Sequence, residues 1–152
     1  MKKILVAVDN SKASRKAAHR AAELASAVGA SVKILTVVSD SAVQMASIPE
    51  TADIPADINP EILICKMDES INRRGEELLK EVKKIFAEYD CEVETILEKG
   101  EPPEEICRVA EEEEIDLIIL ADKGEGKIQR FFLGSTSDKV VRYAPTSVMV
   151  VK

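Results

Sequence analysis

Two groups of polar residues in this chain have the types and spacing needed to bind a small anionic ligand. One is Asp9–Ser11, directly after an unbroken apolar run, and the other is Gly134–Ser137. A glycine followed by three hydroxyl residues at a helix start offers free backbone amides, hydroxyl donors and the positive end of the helix dipole. These groups favour a phosphate. The alternative for Gly134–Ser137 is an ordinary helix N-cap without a ligand.

The charge distribution strengthens the case for the second group. Between Asp122 and Arg142 there are five basic and three acidic residues, a local charge of +2 in a chain of net charge −7, which leaves −9 for the rest. The long net-positive stretch therefore coincides with the helix start that is best suited to a phosphate.

The usual motifs of catalysis and metal binding are missing from the sequence. Gly124–Ile128 resembles part of a P-loop, but no Ser or Thr follows Lys127, and no G-x-G-x-x-G fingerprint follows the first apolar run. His19 is the only histidine, so neither a zinc set nor a Ser-His-Asp triad can be assembled. ATP turnover would need a carboxylate base, and no sequence context singles one out. The candidate carboxylates are Asp9, Asp122, Glu125 and Asp138.

Length and composition indicate one soluble domain, spanning residues 1–152. Apolar residues make up 45% of the chain and charged residues 32%, which is typical of a globular protein. Aromatic residues make up only 3% and the net charge is −7, which argues against a nucleic-acid partner. No run approaches the ~20 apolar residues of a membrane span. Three scattered cysteines favour a reducing compartment, so we expect a cytoplasmic protein with no membrane contact.

Apolar periodicity predicts alternating strands and helices. The strand-like runs are Ile4–Val8, Val32–Val38, Cys91–Leu97, Leu117–Leu120 and Ser147–Val151. Helical spacing of apolar residues lies between these runs. The order β-α-β-insertion-α-β-α-β-α-β predicts an open, Rossmann-like α/β fold with a five-stranded parallel sheet and helices on both faces. Ligands of such sheets bind at the carboxyl ends of the strands, where both polar groups are placed.

The segment Ser39–Met67 interrupts this rhythm. It contains Pro49, Pro55 and Pro60 and shows no sustained period. A long stretch without regular structure is usually functional or disordered. A mobile surface insertion and a lid over the site are therefore both open.

Taken together, these residues resemble the universal stress protein family over essentially the whole chain. Ile4–Ser11 is similar to the family's opening strand and turn, and Gly134–Val151 to its closing helix and strand. The family's ATP signature is a glycine, two residues, a glycine, nine residues and Gly-Ser or Gly-Thr. Gly124 and Gly134–Ser135 match this pattern, whereas Ala121 stands at the first glycine position. A Cβ there crowds the ligand or resists a positive φ.

The resemblance implies an adenine-nucleotide cleft, with ATP as the ligand, with or without magnesium. It also implies the strand order 3-2-1-4-5 and a homodimer through the last strand, Ser147–Val151, an uncharged sheet edge. The implied adenine and ribose contacts are Ala7, Val8, Asp9 and Val37. The implied contacts after the fourth strand are Leu120, Ala121, Lys123 and Gly124, and the phosphate contacts are Gly134, Ser135, Thr136 and Ser137.

Three functions follow from these observations. The first is a cytosolic stress-response module that binds ATP for regulation or sensing. The second has the same fold without ATP and acts as a dimeric protein-interaction module, a reading favoured by Ala121. The third is a slow ATPase, for which the sequence supplies no distinct base.

Overall fold

Strands and helices alternate in the computed structural model, which describes residues 1–48, 55, 57–122 and 133–152. The strands are Lys3–Ala7 (β1), Ser31–Val38 (β2), Val93–Lys99 (β3), Leu117–Ala121 (β4) and Ser147–Val151 (β5). The helices are Lys12–Val28 (α1), Ser41–Ala46 (α2), Pro60–Ile85 (α3), Pro102–Glu112 (α4) and Ser135–Tyr143 (α5). A 3-10 turn, Phe86–Glu88, follows α3.

The strands form one parallel sheet in the order β3-β2-β1-β4-β5. This confirms the predicted fold class and strand order. Val6 of β1 lies opposite Ile34 on one side and Ile119 on the other. The chain leaves β1 towards β2 and later returns to β1 through β4, so the carboxyl ends of β1 and β4 form the switch point where such sheets bind ligands.

Helices cover both faces of the sheet. α1 and α3 pack on one face and α4 and α5 on the other. The buried face of α1 consists of small side chains with no exposed surface, which lets the helix lie close to the strands. They are Ala17, Ala18, Ala21, Ala22 and Ala25.

α3 begins at Pro60 rather than near Ile71, where its apolar period becomes regular. The side chain of Asn59 accepts a hydrogen bond from the N–H of Glu61 at 2.9 Å, and proline is favourable in the first turn. Although α3 is long, no helix in the described part of the chain is apolar enough over sufficient length to cross a membrane.

The segment Ser39–Met67 is therefore partly helical, because it contains α2 and the first turns of α3. The expectation that this segment lacks regular structure is wrong. Residues 49–54 and 56, in the middle of the segment, lie outside the described residues. The mobility of the segment stays a prediction.

α3 crosses β2 and β3 closely at Gly75. A Cβ on this glycine would lie 2.5 Å from Leu97 Cδ1 and 3.0 Å from Val38 Cγ1. Since real Cβ contacts are rarely so short, the absence of a side chain at Gly75 sets the distance between helix and sheet.

Candidate functional site

The loop after β1 is held in place by short hydrogen bonds. The Ser11 hydroxyl accepts the N–H of Ser14 at 3.1 Å and so caps α1. The Ser14 hydroxyl donates to the carbonyl of Asp9 at 2.6 Å, and the N–H of Ser11 donates to the Asp9 carboxylate at 2.9 Å. From β2, the Thr36 hydroxyl donates to the carbonyl of Val8 at 2.9 Å. Val8 and Asp9 are thus fixed at the carboxyl edge of the sheet.

The start of α5 lies opposite this loop. Gly134 is its N-cap residue and makes no side-chain capping bond, so the first-turn amides have no acceptor within the helix. The buried Ser137 hydroxyl donates to the carbonyl of Ala121 at 3.0 Å and ties α5 to the end of β4. Ser135 and Thr136 line the space between the helix and the sheet. The helix start can therefore bind an anion through amides and two hydroxyl groups.

These elements enclose a cleft of about 210 Å³ at the switch point of the sheet. Ten of the twelve site residues implied by the family resemblance line it. They are Ala7, Val8, Asp9, Val37, Leu120, Ala121, Gly134, Ser135, Thr136 and Ser137. The other two, Lys123 and Gly124, lie outside the described residues.

Four further residues line the cleft that sequence reasoning did not assign to it. They are Ser14, Leu35, Pro102 and Ile106. Pro102 and Ile106 come from the first turns of α4, which the sequence marks only as a helix start. The topology could have indicated these two residues. A helix that follows β3 and packs beside β2 brings its amino end to the carboxyl edge of the sheet, where the cleft lies.

The two ends of the cleft differ in chemistry. Leu35, Val37 and Ile106 form an apolar wall between β2 and α4, whereas Ser135 and Thr136 bring hydroxyl groups and first-turn amides at α5. The arrangement suits a ligand with an apolar ring system at one end and a phosphate at the other.

Ala121, at the first glycine position of the signature, occupies ordinary strand backbone. It pairs with Val151 in β5, and the N–H of the next residue, Asp122, donates to the carbonyl of Val151 at 2.8 Å. Among the described residues, Glu114 is the only non-glycine residue with a positive φ. The idea that the Cβ of Ala121 resists a positive φ is therefore wrong, and steric crowding of the ligand is the remaining effect.

Among the described residues, the carboxylates considered for catalysis belong to no group that could hold a metal ion. In residues 1–48, 55, 57–122 and 133–152, no group of three or more His, Cys, Asp or Glu side chains could hold a metal ion. Asp138 pairs with Arg142, whose Nε lies 3.0 Å from the carboxylate oxygen, and this pair raises the pKa of Arg142. Glu125 lies outside the described residues.

Helix α2 packs against α3, and an ion-pair cluster lies at its start. Lys99 Nζ lies 2.8 Å from Asp68 of α3 and 3.7 Å from Asp40, whose carboxylate accepts the N–H of Ala42. The hydrogen bond from Lys99 keeps the pKa of Asp68 below its usual range. The contacts fix the chain that follows β2, the strand whose residue Val37 lines the apolar end of the cleft.

Comparison with known proteins gives a family match over residues 1–152, to a model described as the universal stress protein family. The universal stress protein MJ0531 of Methanocaldococcus jannaschii is 32% identical over 151 residues, covering 99% of this chain and 82% of that protein. The universal stress protein YxiE of Bacillus subtilis is 31% identical over 150 residues, covering 99% of this chain and 98% of the relative.

Solved structures share the fold. Universal stress protein UspA from Lactobacillus plantarum is 26% identical with a TM-score of 0.78, covering 99% of this chain and 97% of that one. A universal stress protein in complex with cAMP is 21% identical, with a TM-score of 0.71 and coverages of 99% and 97%. One from Archaeoglobus fulgidus in complex with dAMP is 22% identical, with a TM-score of 0.65 and coverages of 100% and 98%. By its match over the full sequence, this chain belongs to the universal stress protein family.

Proposed function

We propose that this protein binds an adenine nucleotide, ATP first among them, in the cleft between β1 and β4 and acts as a regulatory module in the cytoplasm. The observation that carries the proposal is the pairing, in one cleft, of an apolar wall with the uncapped start of α5. The relatives solved with cAMP and dAMP support an adenine nucleotide as the ligand class.

In the proposed complex, the adenine ring lies against Val37 and Ile106 and the phosphates lie at the start of α5. Apolar contact stabilises the ring, and the amides and hydroxyl groups of Ser135 and Thr136 bind the phosphates. Asp9 also lines the cleft, and its carboxylate can accept hydrogen bonds from ribose hydroxyl groups. Lys123 and Gly124, which the family resemblance implies as contacts after the fourth strand, belong to the proposed site as well.

Calorimetry on the nucleotide-free protein tests this site with ATP, ATP-Mg, AMP and GTP. Thr136→Glu places a carboxylate among the phosphate contacts, and an acid in the first turn does not weaken the helix. We expect this variant to bind ATP at least about tenfold more weakly, since like charges meet in a partly enclosed site. Asn72→Glu adds the same charge on the exposed side of α3 and is the matched control.

The control should bind ATP as the parent protein does. An absence of heat at millimolar ATP with folded protein would rule out the site. An equal loss in the two variants would show that net charge, rather than contact at α5, governs binding.

Ala121→Gly tests whether the alanine weakens the site. Its Cβ lies at the cleft, and the backbone is already in a conformation that either residue adopts. If crowding limits the ligand, the variant binds ATP more tightly. Unchanged or weaker affinity contradicts that explanation.

A dimeric interaction module is the second candidate, and the exposed edge of the sheet favours it. β5 carries no charge within Ser147–Val151, and Met149 is 42% exposed. At the opposite edge, β3 carries Glu94, Glu98 and Lys99, the kind of charges that discourage strand pairing. We propose that two copies pair through β5 around a two-fold axis, with or without nucleotide.

Light scattering on nucleotide-free protein at tens of micromolar tests this dimer. Met149→Lys should shift the mass to that of a monomer, because it places a charge at the proposed contact. Val28→Lys is the matched control, since Val28 is similarly exposed at 45% but lies at the end of α1. A parent protein with the mass of a monomer would contradict the proposed dimer. A dimer that survives Met149→Lys would show that the interface lies elsewhere.

A further inference from the structure

A lysine-lined groove lies between the end of α3 and the start of β3, at the amino edge of the sheet and away from the nucleotide cleft. One wall carries Lys80, Lys83 and Lys84, which share a helix face by their spacing of three and four residues. Its floor is formed by apolar and aromatic groups, among them Phe86, Tyr89, Cys91 and Val93. The groove therefore combines positive charge with a surface that an apolar side chain can contact.

The ammonium groups of Lys83 and Lys84 lie near two carboxylates. None of the three lysines forms an ion pair with a carboxylate of the described residues. The hydrogen bond from Arg15 lowers the pKa of Glu81, with a smaller contribution from the charge of Lys84. The hydrogen bond from Lys33 lowers the pKa of Glu94, with a smaller contribution from the charge of Lys83. Each of those carboxylates, however, is already paired with another base.

Those pairs are Glu81 with Arg15, at 2.9 Å, and Glu94 with Lys33. The acidic residues of the turn that follows α3 do not line the groove, although the charge of Asp90 reaches Cys91 in its floor. The charge of the lysines is thus available to a partner.

The floor of the groove is partly withdrawn from water. Phe86 is 3% exposed and belongs to the core, and Tyr89, Cys91 and Val93 pack against that core while keeping part of their surface open. Burial raises the pKa of the Cys91 thiol, which agrees with a poorly hydrated floor. An apolar side chain placed here would cover surface that is already half-buried, which favours docking.

We propose that this groove docks an acidic peptide segment of another protein, with carboxylates on the lysine face and one apolar side chain on the floor. Side chains on one face of an extended segment repeat about every 7 Å, close to the spacing of lysines on the helix. A second copy of this chain fits less well, because each copy carries a net charge of −7. Nucleic acid needs a longer basic track than three lysines provide.

The test measures fluorescence anisotropy of a labelled peptide, Ser-Glu-Ser-Glu-Leu-Glu-Ser-Glu, with the full chain. Two control peptides replace every Glu by Lys, or the Leu by Gly. We expect the acidic peptide to bind, the Lys peptide not to bind, and the Gly peptide to bind about fivefold or more weakly, since a partly buried Leu contributes about 1 kcal/mol. Amide shifts on ¹⁵N-labelled protein should map to residues 80–93.

Lys83→Glu combined with Lys84→Glu should weaken the acidic peptide at least about tenfold, because attraction becomes repulsion at contact distance. Lys12→Glu combined with Lys16→Glu changes the net charge equally on the exposed face of α1, and we expect it to stay within about twofold of the parent. Lys83→Gln with Lys84→Gln gives an intermediate loss and guards against a folding defect of the reversed variant.

Equal losses in the two Glu variants, equal binding of the Lys peptide, or shifts outside the groove would overturn the proposal. So would an absence of binding at millimolar peptide. A protein mass that rises with concentration and falls in Lys83→Glu with Lys84→Glu would assign the groove to a second copy and likewise overturn it. None of these readouts depends on nucleotide binding.

Discussion

Gly75→Ala probes the closest approach between a helix and the sheet. The new Cβ would lie 2.5 Å from Leu97 Cδ1 and 3.0 Å from Val38 Cγ1, with Thr36 Cγ2 at 3.6 Å. Leu97 lies on the edge strand β3 and can shift its side-chain end. Val38 lies on β2, which is paired on both sides, so it can yield less.

Two opposing effects set the stability change. Alanine favours a helix interior over glycine by about 1 kcal/mol. Overpacking of a filled interface costs about 1–3 kcal/mol. We expect Gly75→Ala to lower the free energy of unfolding by about 1 kcal/mol, which for a chain of this size lowers the Tm by about 2–4 °C.

Urea unfolding followed by circular dichroism measures this change within a double-mutant cycle. Leu97→Val removes the Cδ atoms that the new Cβ meets. In that background, Gly75→Ala should be neutral or stabilising, a coupling of about 1 kcal/mol or more. Additive effects of Gly75→Ala and Leu97→Val on the free energy of unfolding would refute the reasoning. So would a Gly75→Ala variant of the parent protein that is stabilised by the full difference in helix propensity.

Two further predictions concern charged groups. The N–H groups of Lys2 and Lys3 donate to the Asp116 carboxylate at 2.6 and 2.9 Å and lower its pKa, so its contribution to stability is present at neutral pH and is lost as the pH falls below about 4. Asp116→Asn should therefore flatten the acid limb of a urea-midpoint profile, and an unchanged limb contradicts this. Lys99→Met removes the cation that pairs with Asp68, so we expect faster amide exchange in α2 by mass spectrometry, and equal exchange in both proteins would show that the pair does not hold the helix.

Much of the fold follows from local patterns in the chain. Continuous apolar runs such as Ile4–Val8 indicate strands covered on both faces, and the alternation with helical periods leads to a parallel sheet. The family resemblance adds the strand order and the residues of the cleft, and the switch point brings ten of them together. These features are accessible because each depends on residues that are near one another in sequence or on one topological rule.

Other features depend on partners that are distant in sequence. The start of α3 has a local signal in Asn59 and Pro60, but the apolar period is weak there because that part of the helix does not cover the sheet. The Ser137 hydroxyl donates a hydrogen bond to the carbonyl of Ala121, and the spacing of residues in the sequence does not predict this contact.

The apolar wall of the cleft and the lysine-lined groove are decided in the same way. Ile106 reaches the cleft because α4 packs beside β2, and Lys83 lines the groove because the end of α3 meets the start of β3. Periodicity states which face of a helix is buried but not which strand it covers or which polar groups remain on its rim. The strand that a helix covers, and the polar groups left exposed at its edges, are determined when the sheet and both helix layers pack together. The distances between the layers depend on all the side chains that fill the space between them.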